Sequence, residues 1–119
     1  MTLDTFRDYC LAKPGTTESL PFGPDTLVLK VGGKMFALTD LADFSSINLK
    51  CDPERAADLR ERHAFVLPGF HQNKQHWNTV EIGTGATDAL LRAWIDHSYD
   101  LVRASLPKKL QAELVAADA

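Results

Sequence analysis

The sequence predicts an α+β domain: an antiparallel five-stranded sheet with helices packed on one side, in the order α-β-β-β-α-β-β-α-α. Three observations carry this expectation. Apolar and polar residues alternate through 26–31 and 44–50, with a third apolar run at 35–39, as half-buried strands require. Two stretches, after Asp52 and after Thr87, combine a helix cap with helical apolar spacing. A chain of 119 residues, 45% hydrophobic and 24% charged, suits one globular domain spanning 1–119.

Thr2 caps a first helix whose stripe is Leu3, Phe6, Tyr9 and Cys10, and Pro14-Gly15 ends it. Thr16 to Pro24 reads as turn-rich, with Leu20-Pro21-Phe22-Gly23-Pro24 a rigid extended loop that plugs Phe22 into the core. In the strand at 26–31, Leu27, Leu29 and Val31 share one face, and Val28 and Lys30 the other. Gly32-Gly33 suits a two-residue hairpin turn, because such turns need positive φ, and Met35 to Thr39 returns. Phe44 to Lys50 places Ile47 and Leu49 inward and Ser46, Asn48 and Lys50 outward. The next helix has Asp52 at its N-cap, Pro53 at the first position and Glu54 in the first turn, where the dipole favours an acid. Ala56, Ala57 and Leu59 are its inward residues; Arg55, Asp58, Arg60, Glu61 and Arg62 form an exposed face of interleaved charges. Short strands at 65–67 and 76–82 follow. Thr87 caps a long helix with a stripe of Leu91, Trp94, Ile95, Ser98, Leu101 and Val102, and Pro107 starts a short terminal helix.

The net charge of −3 argues against a protein that coats phosphate backbones non-specifically. The charge is unevenly spread, however: no acid stands between Arg62 and Glu81, a window that holds His63, His71, Lys74 and His76. The first ten residues carry acids where a secretory signal has a basic head, and no apolar run approaches the ~20 residues of a membrane helix. Cytoplasmic location, no membrane partner and reduced thiols at Cys10 and Cys51 are expected.

The informative segment is Pro68-Gly69-Phe70-His71-Gln72-Asn73-Lys74-Gln75-His76-Trp77-Asn78. Connectors in small domains are short and favour Gly, Asn, Asp and Ser. A turn has no need of Trp77. Two readings stand side by side. In one, Trp77 anchors the sheet while Asn73 and Asn78 cap backbone groups. In the other, the segment binds a partner. If Val80 and Ile82 face the core, alternation turns Trp77, Thr79 and Glu81 outward, on the same face as Lys30, Asn48 and Lys50. An outward indole among lysines and an asparagine resembles the stacking-plus-charge arrangement that binds bases.

Catalytic and metal signatures are weak. There is no G-x-S-x-G turn, no H-E-x-x-H and no Gly-rich phosphate loop; Gly83-Thr84-Gly85 lacks a further glycine and a lysine. His97 and Ser98 are adjacent on a helix, about 100° apart, and do not make a nucleophile–base pair by themselves. Cys51 beside a helix N-terminus is a candidate for a lowered pKa, but without a base it reads better as a buried, inert thiol. His71 and His76 are five apart, which suits neither helix nor strand ligation, and no acid or cysteine pair accompanies them. No enzyme, cofactor or metal is expected.

Pro21-Phe22-Gly23, Lys30-Val31-Gly32-Gly33-Lys34-Met35-Phe36-Ala37-Leu38 and Leu49-Lys50-Cys51-Asp52-Pro53-Glu54 resemble the MmcQ/YjbR family. So do the segment 68–74, His76-Trp77-Asn78-Thr79-Val80, Ser98-Tyr99-Asp100-Leu101-Val102 and Leu106-Pro107-Lys108-Lys109. The family pattern commonly has Met where Gln72 stands. The resemblance implies a CyaY/frataxin-like fold, a monomer and a DNA-binding role, with no catalytic residues. Frataxins bind iron through an acidic first helix; here that helix has only Asp4 and Asp8 beside Arg7 and Lys13, so iron handling does not carry over. The expected role is therefore DNA (nucleic-acid) binding through Lys30, Lys34, Asn48, Lys50, His71, Asn73, Lys74, His76, Trp77 and Asn78. The alternative is a small-molecule or protein-partner pocket lined by Phe22, Lys34, His71, Asn73, Trp77 and Asn78.

Overall fold

Backbone pairing, more than local propensity, decides the architecture. The computed structural model describes residues 1–70 and 72–118, with side chains through Leu114. Its elements are α1 (Leu3–Leu11), β1 (Thr16–Ser19), β2 (Thr26–Val31), β3 (Lys34–Asp40), β4 (Ser46–Lys50), α2 (Pro53–Arg62), β5 (Val66–Pro68), β6 (Trp77–Glu81), α3 (Asp88–Ala104) and α4 (Lys108–Asp118). Among the described residues the sheet has six strands in the order β1-β2-β3-β4-β6-β5, every pair antiparallel. The expected five-stranded sheet lacks β1. Thr16-Thr17-Glu18-Ser19 is polar enough to read as a turn, yet it pairs residue for residue with β2, from Thr16 opposite Val31 to Ser19 opposite Val28. Its backbone hydrogen bonds are won in tertiary context, which local composition does not report.

The helices form where their caps place them. The Thr2 hydroxyl accepts from Thr5 N–H, the Asp52 carboxylate from Arg55 N–H and the Thr87 hydroxyl from Leu90 N–H. Their apolar stripes meet one sheet face. Phe6 and Cys10 of α1, Leu91, Ile95 and Val102 of α3, and Leu29, Phe36 and Ile47 of the sheet share one buried cluster. Ser98 belongs to the α3 stripe because its hydroxyl donates to Phe36 O at 2.5 Å, satisfying a polar group under the helix. Of the expected inward residues of α2, Ala56 is fully buried and Leu59 half-buried, whereas Ala57 is exposed.

The opposite sheet face is not bare. Val28, Leu38 and Trp77 form a second buried cluster there, with Met35 packed against it. What lies beside them is the connection from β5 to β6. Gly69 N–H donates to Trp77 O at 2.9 Å, and Phe70 N–H donates to Thr79 Oγ1 at 3.0 Å, so the segment turns back over the sheet as soon as it leaves β5. Asn73 Oδ1 accepts from Gln75 and His76 N–H, and Lys74 Nζ donates to Gly69 O at 3.0 Å, closing the segment on itself.

Candidate functional site

Three strands and two loops build a groove on the face away from the helices. Its floor comes from Thr26 of β2, Leu38, Thr39 and Asp40 of β3, and Ser46 and Asn48 of β4. Phe22, from the loop before β2, and Phe70 and Gln72, from the connection before β6, complete a volume of about 490 Å³. Phe22 is 64% exposed and Phe70 49%, so the expectation that Phe22 plugs the core is corrected. Gly23 has φ +119, a conformation open mainly to glycine, and it lets the chain leave Phe22 on the surface before Pro24 leads into β2.

The floor is held by a short polar chain. Phe70 N–H donates to Thr79 Oγ1, whose hydroxyl in turn donates to Asn48 Oδ1 at 2.6 Å. Thr39 Oγ1 donates to Ser46 O at 2.8 Å, locking β3 to β4 beneath the groove. The Asn48 amide nitrogen and the Thr26 and Ser46 hydroxyls make no hydrogen bond to the described residues, and Gln72 Oε1 is buried without a partner among them. Asp40 Oδ1 accepts from Ala42 N–H at 2.8 Å and Asp43 N–H at 3.3 Å, which fixes the carboxylate and leaves its second oxygen uncommitted.

The residues expected to bind are divided by the fold. Trp77 does lie on the face away from the helices, as the alternation from Val80 requires, but it is only 7% exposed. It anchors the sheet, and the expected stacking platform is corrected. Asn78 faces the helices: its amide nitrogen donates to Ala56 O, and its Oδ1 accepts from Arg60 at 2.8 Å. It is satisfied internally and 2% exposed. Arg60 also donates to Lys74 O, so it is half-buried and not part of an exposed charged face. Asn73 spends its side-chain oxygen on the loop. Of the expected residues only Asn48 and, for the alternative pocket, Phe22 line the groove; Lys34, Asn73, Trp77 and Asn78 do not. His71 lies outside the described residues.

The lysines collect elsewhere. Lys30 stands opposite Met35, Lys50 opposite Trp77, and Lys34 opens β3 at the same end, with exposed His76 just before β6. The groove occupies the other end, where Thr26 pairs with Asp40 and Ser46 with Glu81. The floor residues Thr26, Leu38, Asp40 and Ser46 were missed because no motif links them. Alternation along β2, β3 and β4 does put them on one face, so the signal existed but needed the strand order to be read.

The remaining reactive groups are occupied or quiet. His97 Nε2 accepts from Asp52 N–H at 3.3 Å, while the Arg55 guanidinium stands 3.3 Å from Nδ1. Burial, and then Arg55, push this imidazole below its ordinary pKa. Burial raises the Cys51 thiol to about 11 and Cys10 to about 12, the reverse of nucleophile activation. Among the described residues no three His, Cys, Asp or Glu side chains cluster as a metal set would, and no helix is long and apolar enough to cross a membrane.

The family model YjbR matches residues 11–101, which include β1 through most of α3 and the whole groove. The chain belongs to the YjbR family. Within it, the chain is 38% identical over 109 residues to the uncharacterized protein YbdF of Escherichia coli O157:H7, covering 91% of this chain and 89% of that one. It is 33% identical over 116 residues to the uncharacterized protein YjbR of Escherichia coli strain K12, covering 97% and 98%. The crystal structure of Deinococcus radiodurans protein DR2400, domain DUF419, superposes with a TM-score of 0.88 at 38% identity, covering 95% of this chain and 87% of that one. A Pseudomonas syringae protein superposes with a TM-score of 0.73 at 27% identity, covering 86% and 99%. The YjbR-family assignment agrees with the resemblance drawn from the sequence and carries the α+β antiparallel architecture with it.

Proposed function

We propose that this YjbR-family domain is a non-catalytic binding module whose ligand occupies the groove between Phe22 and Phe70. The observation that carries the reading is the groove itself. Two large rings stay exposed at its rim while amide and hydroxyl groups without partners among the described residues line it. Full burial of a large apolar side chain is worth roughly 1.5–3 kcal/mol, and with Phe22 64% and Phe70 49% exposed about half of that is left for a ligand to recover at each ring. Ligand sites typically have volumes of ~300–1,000 Å³ and join apolar walls to a few placed polar groups. A fragment library screened against the 15N-labelled protein by NMR is expected to give binders whose amide shifts concentrate at 26, 38–40, 46–48, 70 and 72. Phe22→Ala and Phe70→Ala should weaken those binders about tenfold or more. If every binder maps elsewhere, the reading fails.

A second reading, nucleic-acid binding, is favoured by the placement of Lys30 and Lys50 at one end of the same face, with Lys34 at the edge of that end. The covered Trp77 removes base stacking from it, so it rests on phosphate contacts alone. Three neutralised phosphates give a slope of log affinity against log salt near −2.7 on DNA (roughly 0.9 per phosphate). A titration at low salt that detects no complex removes this reading. The frataxin-like arrangement, a monomeric state and a cytoplasmic location are part of the proposal; α1 and α3 packed on one face of an antiparallel sheet support the first.

A further inference from the structure

The two ends of the outer face carry opposite charge. Lys30 and Lys50 sit at the hairpin end, while Asp40 and Glu81 close the other, with Asp25 and Asp43 in the flanking turns. Within the groove, Asp40 is the single charged group among the described lining residues. Its Oδ1 is committed to two backbone N–H groups and its Oδ2 is not. Gln72 Oε1 is a second acceptor, buried without a donor. A carboxylate and a carbonyl oxygen, both short of donors, beside two exposed phenyl faces are complementary to a positive group that brings N–H bonds. An anion placed there meets the Asp40 carboxylate and, among the described lining residues, no cation.

We infer that the groove takes a small organic cation, an ammonium or guanidinium carried on an apolar or aromatic body. The inference rests on the groove being the binding site. The charged head pairs with Asp40, donating to the carboxylate oxygen that the turn leaves open. The body lies against Phe22 or Phe70, whose rings attract the cation through their negative faces. Phe22 precedes β2 and Phe70 precedes β6, two strands that stand three strand spacings or roughly 14 Å apart. A single aromatic ring therefore packs on one wall at a time, and an elongated cation reaches both.

Three matched probes test this: 2-phenylethylamine, its N-acetyl derivative and 3-phenylpropionate, each titrated into the 15N-labelled protein. The amine is expected to shift the groove amides and to bind about tenfold more tightly than the neutral probe, with the carboxylate weaker still. Asp40→Asn keeps the Oδ1 that accepts from Ala42 and Asp43, so the turn survives. It should weaken the amine about two- to fivefold and leave the neutral probe unchanged. Phe70→Leu keeps an apolar wall but removes the ring, and should weaken the amine more than the neutral probe. If all three probes bind the groove equally, or the carboxylate binds best, the charge class is overturned while the groove stands as a site. If none of the three binds there but other fragments do, this inference is again overturned alone. Should no compound of any class perturb the groove, both the inference and the proposed function fall.

Discussion

Gly69 shows how closely the outer layer is fitted at the level of one residue. A Cβ at this position would lie 2.7 Å from Trp77 Cβ and 3.0 Å from Trp77 O, and neither is the far end of a flexible side chain. Because Gly69 also donates to that same carbonyl, it has no room to step away. Gly69→Ala is expected to destabilise the protein by about 1–3 kcal/mol, the range for overpacking a filled site. Chemical denaturation measures it, and a loss under 0.5 kcal/mol would show that the segment lifts freely from Trp77. The Pro68-Gly69 pair was visible in the sequence as a turn. Its second role, letting the backbone of one segment lie against the backbone of another, was not, since it depends on which strand lies alongside.

At the scale of elements, α2 was legible in full outline because Asp52, Pro53 and Glu54 act within one turn of chain, and a local signal is enough for a local structure. Strand β1 was not, for its Thr-Thr-Glu-Ser becomes strand through pairing with β2. The candidate site divides the same way. Alternation told which face Trp77 and Asn48 occupy, but whether that face meets water depends on a connection arriving from β5. The junction of α2 and α3 carries a pH dependence. His97 is held below its ordinary value of 6.5 by burial first and Arg55 second, so the unfolded chain binds its proton more readily than the folded one. The neutral ring has one lone pair for two facing donors, and a second N–H would also lose the contact with Asp52. Stability should therefore fall as pH drops below 6.5, and His97→Gln should flatten that decline. Thermal melts of both proteins from pH 7.5 to 5 check it; parallel curves would refute the assignment.

Across the whole molecule, burial is shared by distant parts. Cys10 closes α1 and Cys51 follows β4, yet both thiols are buried and pushed up to about 12 and about 11. Reaction with an aromatic disulfide at pH 8 requires the chain to open, and opening a core this connected is a cooperative event. Both thiols are expected to react slowly in the native protein, at one common rate that rises with denaturant; a fast phase worth one thiol would show a local opening instead. The second cluster of Val28, Leu38 and Trp77 has a consequence of its own. A sheet with grease on both sides needs two lids, and here the lid beside Trp77 is a length of chain with no helix among its described residues. A protease cut within 72–76 would leave every strand paired and the helical side intact while loosening the chain that lies against Trp77. The nicked protein would then be lost from solution by sticking to itself, with its secondary structure still in place.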